Sequence, residues 1–173
     1  MIEIELEKTY LVKQLPENLS DYPHKEIFDI YIPEKVPHPV LRIRKKGDFF
    51  EITKKQQIHG DDASEQEEHT IRLSKDEFET LAQVVGKKVR KIRYDYPYNG
   101  TKAEIDVFQD DLAGLVLVDF EFKDNESKEA FRTPNFCSVD VTQDEMFAGG
   151  MLCGKKYSDI EKHLTDLGYA SIV

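Results

Sequence analysis

A strict alternation of charged and apolar residues recurs in seven short segments of this chain and constrains its fold more than any other feature. The first segment, EIELEKTYLV at residues 3–12, carries Glu3, Glu5 and Glu7 at alternate positions. Because successive side chains of a β-strand point to opposite faces, this pattern predicts a strand with one charged face and one largely apolar face. Like charges on one strand face repel each other, so these glutamates need either solvent or a counter-charge.

Six further segments show the same alternation, and each predicts a strand with a charged face. Some of these faces are mostly basic and others are mostly acidic. Lys55 belongs to such a face, whereas its neighbour Lys54 shares the opposite face with Phe50 and Ile52. In chain order, the predicted charged faces consist of Arg42, Arg44 and Lys46; Glu51, Thr53 and Lys55; Gln66, Glu68, Thr70 and Arg72; Lys91, Arg93 and Asp95; Glu104 and Asp106; and Asp119, Glu121 and Lys123.

Two interpretations of these charged faces stay open. Antiparallel sheets commonly keep one face in water, and each charged row by itself is typical of a solvated face. Alternatively, the strands close into a barrel whose polar interior pairs basic rows with acidic rows across a cavity. Carboxylates in such a cavity are suitable ligands for divalent cations, and arginines hold phosphate through two parallel hydrogen bonds. The second interpretation therefore suits a metal-bound polyphosphate.

Capping patterns and turn residues complete the predicted fold. Ser74 and Glu77 form a capping box and Gly86 stands at a C-terminal cap position, which predicts a helix over 75–85 on the outside of the barrel. The other predicted elements are a loop over 57–67, a helix over 126–132, and helices led by capping boxes at 142–145 and 158–161, the last ending at Gly168. About eight strands with inserted and appended helices predict a single α+β domain over 1–173, built on one antiparallel sheet or barrel.

Composition restricts the classes of partner. The chain has 173 residues, a net charge of −10 and a pI of about 5.0, which argues against a general nucleic-acid binder, because such proteins need a basic surface. No apolar run approaches the roughly 20 residues that cross a bilayer, and no signal-peptide pattern is present at the N-terminus. Cys137 and Cys153 show no metal-type spacing, so we expect a cytoplasmic protein with free thiols, either a monomer or a homodimer.

The order and spacing of six motifs, from about residue 3 to about residue 160, resemble the CYTH family of triphosphate tunnel metalloenzymes. That family includes class IV adenylyl cyclases, thiamine triphosphatases and inorganic triphosphatases. The matching motifs are an E-x-E start at Glu5 and Glu7, an R-x-R strand at Arg42 and Arg44, a T-x-K strand end at Thr53 and Lys55, KIRY at 91–94, AEIDVF at 103–108 and LVLVDFEF at 115–122.

The resemblance implies an eight-stranded antiparallel barrel that forms a tunnel open at both ends, with helices packed on the outside. It implies that acids bind Mg2+ or Mn2+ and that basic residues bind a triphosphate. Carried over, the metal ligands are Glu5, Glu7, Asp106, Asp119 and Glu121. The implied substrate-binding residues are Arg42, Arg44, Lys55 and Arg93, with Glu68 and Glu104 completing the lining. Lys91 and Tyr31 are the further catalytic candidates beside Glu5 and Glu7.

Several motif positions depart from the family pattern. Thr9 stands where the E-x-E-x-K motif has its lysine, and Ala148 stands where a late lysine is expected. In the family's R-x-E-x-E strand, the arginine falls on Gln66 and the second acid on Thr70. The missing cations bear on how tightly a triphosphate binds and on whether it is turned over.

The resemblance implies metal-dependent hydrolysis of a triphosphate compound as the leading function. Inorganic triphosphate is the favoured substrate, because the short chain has no extra segment suited to a nucleobase or thiamine pocket. A class IV-type adenylyl cyclase and a non-catalytic binder of polyphosphate or nucleotide are the alternatives. In each case the partner is a small molecule, and neither nucleic acid nor a membrane is expected.

Overall fold

A computed structural model describes residues 2–172, so the predicted domain, 1–173, extends beyond it by Met1 and Val173. The strands are β1 (Ile2–Val12), β2 (His24–Ile32), β3 (Leu41–Lys46), β4 (Phe49–His59), β5 (Asp62–Leu73), β6 (Lys87–Tyr98), β7 (Thr101–Phe108), β8 (Val116–Phe122) and β9 (Cys137–Asp140). The helices are α1 (Lys75–Leu81), α2 (Asn125–Ala130), α3 (Gly149–Leu152) and α4 (Tyr157–Asp166). Short 3-10 helices span Leu19–Asp21, Asp110–Leu112 and Glu145–Phe147.

Eight of the strands close into an antiparallel barrel, which confirms the predicted α+β fold. Around the barrel the strands follow the order β5, β4, β3, β2, β6, β7, β8 and β1, and the pairing of β1 with β5 closes the ring. The first half of β1 pairs with β5 and the second half pairs with β8. Beyond the N-terminal end of β5, the second half of β1 has no partner from β5 on that side, and the short strand β9 pairs with it there. The closed ring leaves no long unpaired edge within it.

Local turn chemistry explains two of the hairpins. Gly47, with φ of 59°, turns β3 into β4, as the sequence predicts. Asn99 and Gly100 have φ of 47° and 79° and join β6 to β7, the pattern of a tight two-residue hairpin.

The predicted loop over 57–67 is wrong in its extent, because β4 runs to His59 and β5 starts at Asp62. There the ladder of backbone hydrogen bonds overrides the weak strand propensity of the acidic residues.

The helix ends follow the predicted caps only in part. Ser74 and Glu77 form the expected capping box, but α1 ends at Leu81 rather than at position 85. The capping box at 142–145 is wrong, because Asp144 caps the 3-10 helix there. The box at 158–161 is also wrong, because Ser158 lies inside α4 and the Lys156 amide donates to Asp159. In both places the helix begins two residues away from the predicted start, and an aspartate side chain bonds an amide at the actual start.

One part of the hydrophobic core lies on the outside of the barrel wall. The outward side chains of β1, β7 and β8 pack under α2 and the segment that follows it, residues 131–137. Phe120 is fully buried at the centre of this cluster, with its ring centroid 4.6 Å from that of Phe131 and 5.8 Å from that of Tyr10. On another side α1 covers the wall through Phe78, whose ring lies 4.9 Å from that of Phe50.

A second part of the core fills one end of the barrel interior. There the inward rows change from charged to apolar residues, and α3, α4 and the 3-10 helix Glu145–Phe147 pack against them. Inward apolar residues from five strands form this floor: Leu11, Tyr31, Val89, Phe108 and Leu117. Among residues 2–172 the interior therefore ends at a buried apolar floor, which differs from the opening at both ends that the family resemblance implies. Within the same residues, no helix is long and apolar enough to cross a membrane.

Replacing Phe120 with alanine should destabilise the protein by about 3–5 kcal/mol, because it leaves a cavity in a fully buried aromatic cluster. Urea denaturation of the variant and of the unmodified protein measures the difference. Phe49→Ala is the matched control, since Phe49 is 59% exposed and its loss should cost about 1 kcal/mol or less. Equal losses of stability in the two variants would contradict the position of the core.

Candidate active site

The barrel encloses a cavity of about 910 Å³ above the apolar floor, and every predicted site residue lines it. The predicted residues that meet there are Glu5, Glu7, Tyr31, Arg42, Arg44, Lys55, Glu68, Lys91, Arg93, Glu104, Asp106, Asp119 and Glu121. Lys55 lines the cavity and Lys54 lies exposed on the opposite face, so the choice between them by parity is confirmed. The structure thus brings the predicted set together, while the role of each member stays a prediction.

The acidic residues form one continuous wall of the cavity. They come from the adjacent strands β7, β8 and β1, and the strand register sets them side by side. Glu7 lies directly opposite Glu121, and Asp119 lies between Glu104 and Thr9 on its two neighbouring strands. Like charges in directly opposed positions destabilise a strand pair, so this wall needs positive charge nearby.

Most of the basic residues lie on the other strands, and Lys102 of β7 lies within the acidic wall itself. Arg42, Arg44 and Lys46 lie on β3, Lys55 on β4, and Lys91 and Arg93 on β6. Arg93 donates from Nε and Nη2 to Asp106 at 2.7 and 2.6 Å and also bonds Glu104. These contacts outweigh the effect of burial, so the pKa of Asp106 lies well below its ordinary value. The cavity is therefore a closed arrangement of opposed charges.

Lys91 occupies a less favourable electrostatic position than Arg44, Lys55 and Arg93, whose pKa values are raised. Its ammonium bonds Asp106 and lies 5.4 Å from the centre of the Phe108 ring. Burial is the main cause that lowers the pKa of Lys91 to about 8, and the neighbouring Arg93 adds to the effect. Lys91 is thus a lysine that gains or loses its proton close to neutral pH, which suits a catalytic candidate.

Asp29 is the clearest site residue that the sequence did not predict. Arg44 donates to both of its carboxylate oxygens at 2.7 Å, and the two residues are 1% and 6% exposed. Burial alone would raise the pKa of Asp29, but the Arg44 guanidinium outweighs burial and holds the pKa below its ordinary value. A single charge in the apolar segment IFDIYI, residues 27–32, was the available signal, because a buried carboxylate needs a partner.

Lys55 holds two of the predicted metal ligands together. Its Nζ lies 2.7 Å from Glu5 and 2.9 Å from both carboxylate oxygens of Glu7. Burial opposes the charged form of Lys55, but Glu7 and Glu5 dominate and raise its pKa, so the ammonium is charged at neutral pH. Burial and the nearby carboxylate of Asp119 raise the pKa of Glu7 despite Lys55. Gln66 adds a neutral hydrogen bond of 2.9 Å to Glu7.

Arg42 has an unused hydrogen-bond donor inside the site. Its two terminal nitrogens bond Glu68 at 3.2 Å and the Tyr31 hydroxyl at 3.4 Å. Its Nε is buried and is the single buried side-chain nitrogen or oxygen within residues 2–172 that finds no hydrogen-bond partner. A buried donor without a partner is costly, and a ligand acceptor would remove that cost.

The positions that depart from the family pattern have partners of their own. Thr9 donates from its hydroxyl to Asp119 at 2.7 Å and lines the cavity without a charge. Thr70 donates to Glu68 at 2.8 Å. Ala148 lies at the cavity margin, where the 3-10 helix Glu145–Phe147 meets α3. Next to it, a Cβ on Gly149 would lie 2.2 Å from the Tyr31 hydroxyl, so this segment needs glycine to approach the barrel.

The carboxylates of the acidic wall suit a divalent cation by their chemistry, since Mg2+ and Mn2+ prefer oxygen ligands. The opposed pair Glu7 and Glu121 is a natural place for such an ion. In this conformation, however, no group of three or more His, Cys, Asp or Glu side chains within residues 2–172 is placed to hold a metal. Protein cations occupy these carboxylates: Lys55 bridges Glu5 and Glu7, and Lys102 lies 3.2 Å from Glu121.

Comparison with known proteins finds both sequence and structural relatives. The chain is 28% identical over 146 residues to the inorganic triphosphatase of Nitrosomonas europaea, a match that covers 83% of this chain and 92% of that protein. No model of a known protein family matches the chain. The crystal structure of the inorganic triphosphatase NE1496 covers 87% of this chain and 95% of its own, with a TM-score of 0.65 and 26% identity.

A more distant structure repeats the architecture. The crystal structure of a putative adenylate cyclase from Bacillus halodurans covers 99% of this chain and 94% of its own, with a TM-score of 0.57. At 16% identity, this likeness shows the fold alone. Together with the triphosphatase structure, it confirms that the closed barrel with helices outside it is a known tunnel-type fold.

Asp29→Asn should lower the free energy of unfolding by roughly 3 kcal/mol at pH 7, because it leaves the buried Arg44 guanidinium without a charged partner. The pKa of Asp29 is depressed in the folded state, so its contribution is complete above about pH 4, the unfolded pKa, and is lost as the pH falls further. Chemical denaturation at a series of values from about pH 3 to about pH 7 should show that the free energies of unfolding of the variant and the unmodified protein approach each other as the pH falls.

The exposed Asp111 supplies a matched control for this measurement. Asp111→Asn should change stability by about 0.5 kcal/mol or less at every pH. If Asp29→Asn behaves like the control, the ion pair with Arg44 does not stabilise the barrel.

Proposed function

We propose that this chain, a member of the CYTH family of triphosphate tunnel metalloenzymes, hydrolyses inorganic triphosphate in the charged cavity of its barrel, with Mg2+ or Mn2+ as cofactor. The relative from Nitrosomonas europaea that bears the name inorganic triphosphatase supports the substrate, since the match covers most of both chains. The free buried thiols Cys137 and Cys153 support a cytoplasmic setting.

The observation that carries the proposal is the set of cations that line the cavity, among which Arg42 has a buried Nε without a protein partner. A buried guanidinium with an unused donor is suited to an anion with several oxygens, and phosphate groups offer such oxygens. Arg44 donates from Nε and Nη2 to Asp29, so Nη1 of Arg44 can donate to a further acceptor. Lys46 and Lys91 line the same cavity and add positive charge for a second and a third phosphate group.

In the proposed reaction, a water oxygen attacks the terminal phosphorus, the bond from that phosphorus to the bridging oxygen breaks with pyrophosphate as the leaving group, and the attacking water gives its proton to solvent as phosphate forms. Glu5, Glu7, Asp119 and Glu121 would hold the divalent ions, and Asp106 would join them when its arginine and lysine partners turn to phosphate. When bound, these ions would neutralise phosphate charge and activate the attacking water. Arg42, Arg44 and Arg93 would orient the triphosphate and stabilise the charge that develops on its oxygens.

The missing lysine at position 9 makes a binding protein without turnover the main alternative. Tyr31, which the resemblance pairs with that lysine, instead has Arg42 as its charged neighbour, at 3.4 Å. A cation is therefore present beside Tyr31, although it comes from β3 rather than from β1. This arrangement favours turnover with Arg42 in place of the missing lysine.

The proposal is tested by incubating the purified protein with tripolyphosphate, thiamine triphosphate and ATP, each with Mg2+ and with Mn2+. We expect metal-dependent release of phosphate, fastest from tripolyphosphate. Cyclic AMP from ATP would show a cyclase instead. Tight tripolyphosphate binding with no product in any mixture would identify a binding protein and contradict the proposal.

Glu121→Gln should reduce the metal-dependent turnover by roughly 100-fold or more. Loss of a residue that only orients a metal ligand typically lowers activity or metal affinity by about 10–100-fold, and loss of a ligand itself should cost at least as much. Stability should stay unchanged or rise, since Glu121 lies opposite Glu7 and its removal relieves repulsion. Turnover of tripolyphosphate and the melting temperature measure the two effects. Glu126→Gln, at an exposed position on α2, is the control and should leave both unchanged.

Thr9→Lys should strengthen tripolyphosphate binding by about tenfold, because it adds a cation to the cavity wall beside Asp119. Calorimetry in metal-free buffer measures the affinity without turnover. Thr9→Val is the companion variant, since it keeps the shape of threonine but adds no charge, and its affinity should match that of the unmodified protein. An unchanged affinity in Thr9→Lys would show that position 9 does not contact the substrate.

A further inference from the structure

Lys55 takes part in contacts that each ligand of the proposed site would have to break. A metal ion would compete with Lys55 for the carboxylates of Glu5 and Glu7, and a triphosphate would compete with those carboxylates for Lys55. Its ammonium lies between Glu5 and Glu7, at 2.7 to 2.9 Å, where the resemblance implies a metal ion. With Lys55 in place, the three side chains carry a net charge of about −1 rather than −2 at neutral pH. The electrostatic attraction of these carboxylates for a divalent cation is therefore weaker than it would be without Lys55.

The strand register also places Lys55 near the anion-binding wall. Arg42 pairs with Thr53 across β3 and β4, so Lys55 is the diagonal neighbour of Arg42 on the same face. Diagonal neighbours are about 7–8 Å apart, which the flexible four-carbon stem of lysine spans. A phosphate group bound at Arg42 in the cavity is thus within reach of the Lys55 ammonium.

We propose that Lys55 acts as an internal counter-ion that couples the two ligands: without triphosphate it binds Glu5 and Glu7 and opposes metal binding, and triphosphate draws it away and frees both carboxylates. Triphosphate and metal then strengthen each other's binding through one side chain. This inference rests on the proposed function, because it assigns regulation to the same cavity. It accounts for the lack of a metal-ready cluster of acids within residues 2–172.

Lys55→Gln tests the coupling because it should change two affinities in opposite directions. Mn2+ should bind the variant about tenfold more tightly than the unmodified protein in the absence of any phosphate compound, since the competing cation is gone. Tripolyphosphate should bind about tenfold more weakly in metal-free buffer, since one phosphate ligand is gone. Calorimetry measures the second affinity, and the signal of free Mn2+ in electron paramagnetic resonance measures the first. Neither measurement requires turnover.

Two controls separate position from charge. Lys54→Gln removes the same charge from the exposed outer face of the same strand, and both of its affinities should stay within about twofold of the unmodified values. Lys55→Arg keeps the cation inside the cavity, and its Mn2+ affinity should stay low. Circular dichroism shows whether Lys55→Gln is folded. If its melting temperature is low without metal, Mn2+ should raise it more than it raises that of the unmodified protein.

The outcomes distinguish this inference from the proposed function. Weaker tripolyphosphate binding with unchanged or weaker Mn2+ binding would overturn the inference and leave Lys55 as a simple phosphate ligand. An equal rise of Mn2+ affinity in Lys54→Gln would overturn it as well, since the effect would be one of overall charge. Turnover of tripolyphosphate by the unmodified protein tests the function separately, whatever the Mn2+ result.

Discussion

The pairing of opposite charges across the interior of the barrel is the interaction on which the rest of the structure depends. Taking a charge out of water costs several kcal/mol, so the acids of β7, β8 and β1 persist inside only because basic residues of β3, β4 and β6 neutralise them. With the polar rows turned inward, the apolar rows face outward. They are buried where helices and the 131–137 segment cover them, as Phe120 is, and exposed elsewhere, as Ile71 is.

The same network produces the properties of the candidate site. Pairs such as Asp29 with Arg44 are satisfied on both sides and hold the guanidinium in place. Two groups are balanced less completely: Arg42 keeps a buried donor without a partner, and Glu7, although Lys55 and Gln66 bond it, lies directly opposite the like charge of Glu121. The first defect suits an anion and the second suits a cation, so a metal-bound polyphosphate would complete both at once.

The sequence predicted the lining of the cavity well, because strand parity is a local property. Alternation placed Arg42, Lys55 and Glu121 on inward faces, and all three line the cavity. It did not find Asp29, which stands alone among apolar residues. Two of the three capping boxes were wrong, because those helices begin at other residues, where aspartate side chains bond the first amides. The extent of β4 and β5 was also missed, since pairing between strands outweighs the propensity of each residue.

By itself the sequence determined which side chains share a face, since a period of two needs no knowledge of the partner strand. Tertiary structure decided which residues meet: Lys55 lies between Glu5 and Glu7, Arg42 lies beside Tyr31, and an apolar floor closes one end of the interior. The physical reason is that ring closure and register bring together residues far apart in the chain. The distances they create fix the electrostatics of each group.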